Sequence, residues 1–296
     1  MSGRWTGKRA LVTGASNGVG LEIARRLAEE GTRLILPVRS RLRGDAAARS
    51  ILASVPDAEI DIRDLDLARP ETVTALAMAL RAEGEAVDRY VMNAGVVLLG
   101  DAERHLTEQG LELHFQANFL GHYALTQLLL PLLRRSRARI AVQLSLAASH
   151  GRLDDLQSER RYHPLRAYAA SKRVLGIYAY ALAQSSIAGI WGTNVQLCHP
   201  GVAPGTGIAA DARKRASGAT SRLVERLGST PRQAAETALV ALESDAVPGQ
   251  YYVPSAVFEL SGAPRERLAP KAFTNPREAD RILETAENLV DAARCA

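Results

Sequence analysis

Short apolar runs alternate along this chain with longer segments in which apolar residues recur every three or four positions. Ala10-Leu11-Val12 follows Lys8-Arg9 and predicts a buried strand over 9–13. From Leu21 to Glu30, the residues Ile23, Ala24, Leu27 and Ala28 share one helical face, and Gly31 supplies a stop. The same rhythm predicts strands near 33–38, 59–63, 89–92, 139–145, 194–198 and 250–253. Helices are expected near 18–30, 42–54, 70–83, 103–107, 110–135, 165–188 and 231–243, with Gly, Pro and polar residues between them. Such alternation implies an α/β fold: a doubly wound parallel sheet with helices on both faces, in a single domain over residues 1–296. Ligands should gather at the carboxyl ends of its strands.

Composition narrows the setting. A chain of 296 residues can bury a large core in one domain. Its two cysteines, Cys198 in an apolar strand and Cys295 near the end, are too few for a disulfide framework and fit a reducing compartment. The nearest approach to a membrane span, Leu175 to Trp191, is interrupted by Gln184, Ser185 and Ser186, and nothing resembling a secretory leader precedes the first strand. A soluble, cytoplasmic location is the expectation. The net charge of +5 is mostly arginine. The basic run Arg134 to Arg139 reads as a cationic helix end that complements the dipole, and without interleaved aromatics it implies no nucleic-acid partner. No His, Cys and Asp cluster has metal-ligand spacing, so no metal is expected.

Two segments carry chemistry. Thr13 to Gly20 joins the first strand to the first helix and contains Gly14, Ser16, Asn17, Gly18, Val19 and Gly20. Glycines there permit a tight turn and close backbone approach to a pyrophosphate, which the unpaired N–H groups of the helix start would hold. Tyr168 and Lys172 stand four apart on a predicted helix and so share one face. An ammonium near a phenol favours the phenolate and lowers its pKa, suiting Tyr168 to proton transfer at an alcohol or carbonyl oxygen. Ser145 stands upstream at the end of a predicted strand.

With Asn93-Ala94-Gly95, Asn118 and His199-Pro200-Gly201 in the same order, the chain resembles the short-chain dehydrogenase/reductase family over about residues 7 to 292. The Arg39-Ser40 strand end and the long Ser145–Tyr168 spacing make it most similar to the retinol-dehydrogenase-like branch. The resemblance implies a Rossmann-type nucleotide site in which Asp66 holds the adenine amino group and Leu67 flanks it. Asn93, Ala94, Gly95 and Val96 would line the ribose side, although Asn93 could instead brace adjacent strands. Pro200, Gly201 and Val202 would pack along the nicotinamide. The threonine that usually follows would be Thr206, displaced by one position. Residues 202–230 correspond to a substrate lid.

Cofactor choice rests on the end of the second strand, where an acidic residue would select NAD(H). Arg39 stands there instead, with Arg41 and Arg43 close by, and a guanidinium suits a 2′-phosphate. NADP(H) is therefore expected over NAD(H). By resemblance Tyr168 is the general acid or base, Lys172 lowers its pKa and bonds the nicotinamide ribose, Ser145 orients the substrate oxygen, and Asn118 holds a water that links Lys172 to solvent, or merely kinks its helix. The expected activity is that of a carbonyl reductase or alcohol dehydrogenase acting on a small molecule. A redox-neutral epimerase or dehydratase on the same fold, or a non-catalytic NADP(H) sensor, are the other readings. The insert at about 147–166 carries Arg152, Asp154, Asp155, Tyr162 and His163, read mainly as exposed loop polarity. Family dimers pair the helices corresponding to 110–135 and 165–188, so a homodimer or homotetramer is possible. A longer insert covers that surface in monomeric relatives, and the sequence does not decide between them.

Overall fold

A computed structural model of the chain describes residues 3–190, 192–204 and 228–295. Eight strands form one sheet in the order β3-β2-β1-β4-β5-β6-β7-β8. They are β1 Arg9–Val12, β2 Arg33–Val38, β3 Ile60–Asp64, β4 Arg89–Met92, β5 Arg139–Gln143, β6 Asn194–Cys198, β7 Tyr251–Pro254 and β8 Pro264–Arg267. The first seven pair in parallel, and β8 runs antiparallel to β7. The order reverses direction between β1 and β4, and this opens a crevice at the strands' carboxyl ends.

The helices are α1 Gly18–Glu29, α2 Arg41–Leu52, α3 Pro70–Glu83, α4 Leu113–Phe115, α5 Gly121–Arg135, α6 Pro164–Ile187, α7 Pro231–Glu243 and α8 Pro276–Cys295. Two cores result, one on each face of the sheet. Leu11 points into the core shared with α3, α5 and α6, whereas its neighbours Ala10 and Val12 point into the core shared with α1 and α7. The doubly wound expectation holds. Local signals place the helix ends. α3 starts with Pro70 and stops at Gly84 (φ 69°), and α7 opens on a reciprocal cap between Thr230 and Gln233.

The structure corrects several boundaries. Residues 103–107 are not helical. Leu106 forms an isolated bridge with Glu112, which turns the chain back before α4. The helix expected over 110–135 begins at Leu113 and passes through a π-helical turn, Gln116–Leu120, before α5. The fifth strand stops at Gln143, so Ser145 caps the 3-10 turn Leu146–His150 rather than ending a strand. β8 and α8 were not anticipated. α8 lies against α6, with Phe273 just ahead of it pressed onto Gly176, where a Cβ would stand 2.9 Å from the ring. Arg173 on α6 adds an ion pair of 2.8 Å to Glu278 and a bond of 3.2 Å to the Ala272 carbonyl. No helix among the described residues is long and apolar enough to cross a membrane.

Phe273 is 1% exposed. Truncating it should leave a cavity between α6 and α8, so Phe273→Ala is expected to lower unfolding free energy by about 3–5 kcal/mol in urea titration.

Candidate active site

The crevice between β1 and β4 is tied shut at its floor by polar side chains. Thr13, just past β1, donates to the Val91 carbonyl (3.2 Å) and accepts from the amides of Asn93 (3.0 Å) and Ala94 (3.1 Å). The Asn93 amide donates to the carbonyls of Thr13 (2.8 Å) and Gly14 (3.3 Å), and its oxygen accepts from Gln143 Nε2 (2.6 Å) on β5. Asn93 therefore braces three strands, one of its two sequence readings, and it also lines the cavity.

Around Asn93 the glycine turn has no room for side chains. A Cβ on Gly20 would fall 2.4 Å from the Asn93 amide nitrogen and 2.5 Å from the Gly14 carbonyl oxygen. Gly14 and Gly18 adopt φ of 70° and 56°, where L-residues are disfavoured. The residue ahead of α1, Asn17, makes no side-chain cap and no acidic residue sits in the first turn, so the helix start presents its amides to the cavity lined by Ser16, Asn17, Gly18 and Val19. This backbone cradle fits a pyrophosphate.

Farther along the same cavity, of about 770 Å³, stand Arg39, Arg43, Asp66 and Leu67. Asp64 neighbours the end of β2 across the β3 ladder, but Arg41 engages both of its oxygens, at 3.0 and 3.1 Å. Arg39 and Arg43 make no ion pair with a described residue, and Arg39 is exposed at the cavity wall. One Asp66 oxygen accepts from the Ala68 amide (3.0 Å), which shapes the turn that presents Leu67.

The other end of the cavity holds Ser145, Tyr168 and Lys172. Tyr168 and Lys172 share one buried face of α6, as their spacing requires. The Ser145 hydroxyl lies on the Tyr168 side of the cavity and acts to lower the phenol's pKa. Burial pushes the phenol above its ordinary pKa, and the Ser145 hydroxyl offsets this only in part. The net shift of the phenol is thus upward, against the lowering expected from Lys172. Lys172 is itself held down to about 8 by burial, and its Nζ donates to the Gln143 carbonyl at 3.0 Å. Ala94, Gly95, Pro200, Gly201 and Val202 line the same space. A Cβ on Gly95 would stand 3.4 Å from Lys172 Nζ and 3.2 Å from Asn118 Oδ1. Thr206 and most of the expected lid lie outside the described residues.

Asn118 sits within the π-helical turn, consistent with its kinking role. Its oxygen accepts from the Val96 amide at 2.6 Å, and its nitrogen donates to the Val96 carbonyl and to Ser171 Oγ, each at 3.0 Å. Its side chain therefore shapes the cavity wall. Residues that the sequence did not single out complete the floor. Gln143 links Asn93 to Lys172. The imidazole of His122, driven down to about 3 by burial, donates through Nε2 to the Ala94 carbonyl (3.2 Å). In the insert, Arg152 pairs with Asp154 (3.1 Å), and Asp155 accepts from the Glu159 and Arg160 amides at 3.0 and 3.1 Å, which agrees with loop polarity. His163 takes the extended turn expected ahead of Pro164. Outside the cavity, Asp101, Glu103 and His105 bring ligand atoms within 4.8 Å of one another, a grouping that linear spacing did not suggest. The 2.6 Å bond from His105 to Asp101 accounts for part of it, and no cation is assigned there.

A strand–turn–helix glycine cradle stands at one end of the cavity, and half-buried Ser145 with buried Tyr168 and Lys172 stands at the other. A family model described as short chain dehydrogenase matches residues 8–217, and the chain belongs to that family. It is related to retinol dehydrogenase 12 of Mus musculus, with 36% identity over 201 residues that cover 66% of this chain and 61% of that protein. The chain thus spans less than two thirds of the length of that relative. Among solved structures, an uncharacterised protein from Mycobacterium Paratuberculosis aligns with a TM-score of 0.78 and 26% identity, covering 98% of this chain and 95% of that one. A variant of actinorhodin polyketide ketoreductase with NADPH aligns with a TM-score of 0.65 and 25% identity, covering 83% of this chain and 93% of that one.

The depressed Lys172 sets a pH dependence. Its folded value of about 8 lies below the ordinary 10.5, so the folded state binds fewer protons than the unfolded state between those values. The destabilisation is full below pH 8 and fades as pH rises toward 10.5. A depression of that size costs about 3 kcal/mol, and an orphaned Gln143 carbonyl would offset about 1–2 kcal/mol of the gain from removing the amine. Lys172→Met should therefore be more stable than wild type by about 1–2 kcal/mol near pH 7, with the difference shrinking above pH 8 in chemical denaturation.

Proposed function

We propose that this protein is an NADP(H)-dependent oxidoreductase that moves a hydride between nicotinamide and a carbonyl or alcohol carbon. The observation that carries this reading is Ser145 together with the buried Tyr168 and Lys172 at one end of a cavity whose other end is a glycine cradle with Arg39 and Arg43, which make no ion pair with a described residue. When bound, the dinucleotide supplies or accepts the hydride. Gly14 and the start of α1 would hold its pyrophosphate, and Asp66 and Leu67 its adenine. Arg39, aided by Arg43, would hold a 2′-phosphate by charge-assisted hydrogen bonds. The NADPH in the ketoreductase structure supports the choice of dinucleotide.

The chain's own residues then handle the substrate oxygen. Ser145 holds and polarises it, and Tyr168 gives it a proton in reduction or takes one in oxidation. A phenol kept above its ordinary pKa retains its proton at neutral pH, which is the form that donates. Lys172, held against the Gln143 carbonyl, keeps α6 and its phenol in register with β5 and is placed to meet the nicotinamide ribose. The cavity wall also includes Val97, Leu98, Leu99, Leu146 and Leu165 and suits a substrate with an apolar body.

Loss of NADPH absorbance with a panel including all-trans-retinal, decanal and aromatic ketones tests the reading. Turnover should fall by at least about 10³-fold in Tyr168→Phe with NADPH affinity retained. Equal turnover in that variant would remove the proton-transfer role. Arg39→Ala should raise the KM for NADPH by about tenfold or more and leave that for NADH within about twofold, since a buried or bidentate phosphate contact is worth about that factor.

A further inference from the structure

A second pair of buried ionisable side chains lies behind the cavity wall. Glu112 is 1% exposed and His114 is fully buried, and both stand at the start of the segment that becomes α5. Glu112 Oε2 accepts from the Phe115 amide (2.8 Å) and so caps α4. Glu112 Oε1 accepts from His114 Nδ1 at 2.7 Å. On the opposite side of the ring, the backbone N–H of Leu98 donates to His114 Nε2 at 3.2 Å. Because Nε2 accepts, the ring proton resides on Nδ1, and the carboxylate selects that tautomer.

His114 and Asn118 are four residues apart, and both reach the segment that follows β4. Asn118 grips Val96 through its N–H and carbonyl, while His114 grips Leu98 through its N–H. The amides of Val97 and Leu99, which alternate with these, have no such side-chain anchor among the described residues. Leu98 lines the cavity, and Gly95 at the head of this segment lies between Asn118 and Lys172. The His114 ring also meets the Tyr168 ring edge-on, with centroids 6.3 Å apart and planes at 69°. The insert is fastened to the same pair: Gln157 accepts from the Glu112 amide (2.8 Å) through its side chain and from Arg104 Nε (2.7 Å) through its carbonyl.

We infer that His114, held in one tautomer by Glu112, is a positioning residue that sets the height of the Leu98 wall beside Tyr168 and thereby governs substrate affinity. The inference rests on the cavity being the active site. His114 touches neither the reacting oxygen nor the dinucleotide, so its effect should appear in substrate KM. Leu98 and the Tyr168 ring bound the space that the substrate body enters, and one imidazole contacts both.

Two variants and one measurement on the unmodified chain test it. His114→Leu keeps bulk but removes the acceptor for Leu98, whereas His114→Gln offers a carbonyl at similar reach. With all-trans-retinal and decanal, His114→Leu is expected to raise KM by about tenfold or more, with kcat and the NADPH dissociation constant within about twofold of wild type. His114→Gln should stay within about threefold of wild-type KM. An unchanged KM in His114→Leu, a parallel loss of kcat and NADPH affinity, or equal damage in both variants would overturn the inference. Amide hydrogen exchange reads the clamp without turnover and applies even if His114→Leu fails to fold. In wild type the Val96 and Leu98 amides should exchange slowly and Val97 and Leu99 faster, and in His114→Gln Leu98 should stay slow. Uniform exchange across 96–99 would overturn it. A wild type that binds NADPH but reduces neither aldehyde, with the alternating protection present, would count against the functional reading and leave the clamp standing.

Discussion

The side chain of Asn93 is the point on which the rest of the site depends. One amide joins the ends of β1, β4 and β5 by donating to Thr13 and Gly14 and accepting from Gln143. Each bond is made inside a part-buried crevice, where leaving a polar partner unmatched costs about 1–3 kcal/mol. The consequences run outward in both directions. Toward the nucleotide end, the amide lies so close to the turn that only glycine fits at position 20 and a side chain at 14 would be crowded. Toward Tyr168 and Lys172, Asn93 accepts from the side chain of Gln143, whose backbone carbonyl receives Lys172. The glycine turn and the strand that receives Lys172 are thereby joined through one side chain.

Burial then determines the chemistry. Tyr168 and Lys172 are both desolvated, and desolvation disfavours each charged form. It drives the phenol up and the amine down, so the pair is poised with more neutral character than two residues on an exposed helix would have. A lysine four residues away therefore does not bring the phenol below its ordinary value. The Ser145 hydroxyl acts in the opposite sense to burial but more weakly. The cost of holding Lys172 in this place is a stability penalty that the surrounding core must offset, an arrangement common at functional sites.

The C-terminal region shows why some elements escape a linear reading. Ile282 and Ala286 are buried and Leu283, Leu289 and Val290 are packed against the core, so α8 has an apolar stripe of its own. Its partner is α6, about a hundred positions earlier, and the absence of a side chain at Gly176 there becomes meaningful only once Phe273, just ahead of α8, is seen to fill the space. β8 is only four residues long and mostly exposed, with charged residues at three of its four positions. It has no alternating apolar face to announce it, because it closes the sheet edge through backbone pairing with β7.

The linear pattern alone determined the α/β class, the parallel order of strand and helix, the glycine turn, the Tyr168–Lys172 face and the arginine at the end of β2. These are local properties: period, turn chemistry and i,i+4 spacing act within a few residues and survive in any fold that contains them. Only the tertiary structure decided that Asn93 braces three strands, that Gln143 receives Lys172, that Arg41 engages Asp64 while Arg39 makes no ion pair with a described residue, and that His114, bonded to Glu112, meets Leu98. It also reversed the expected direction of the Tyr168 shift. These are properties of distance and desolvation between residues far apart in sequence, and neither quantity exists until the chain has folded around them.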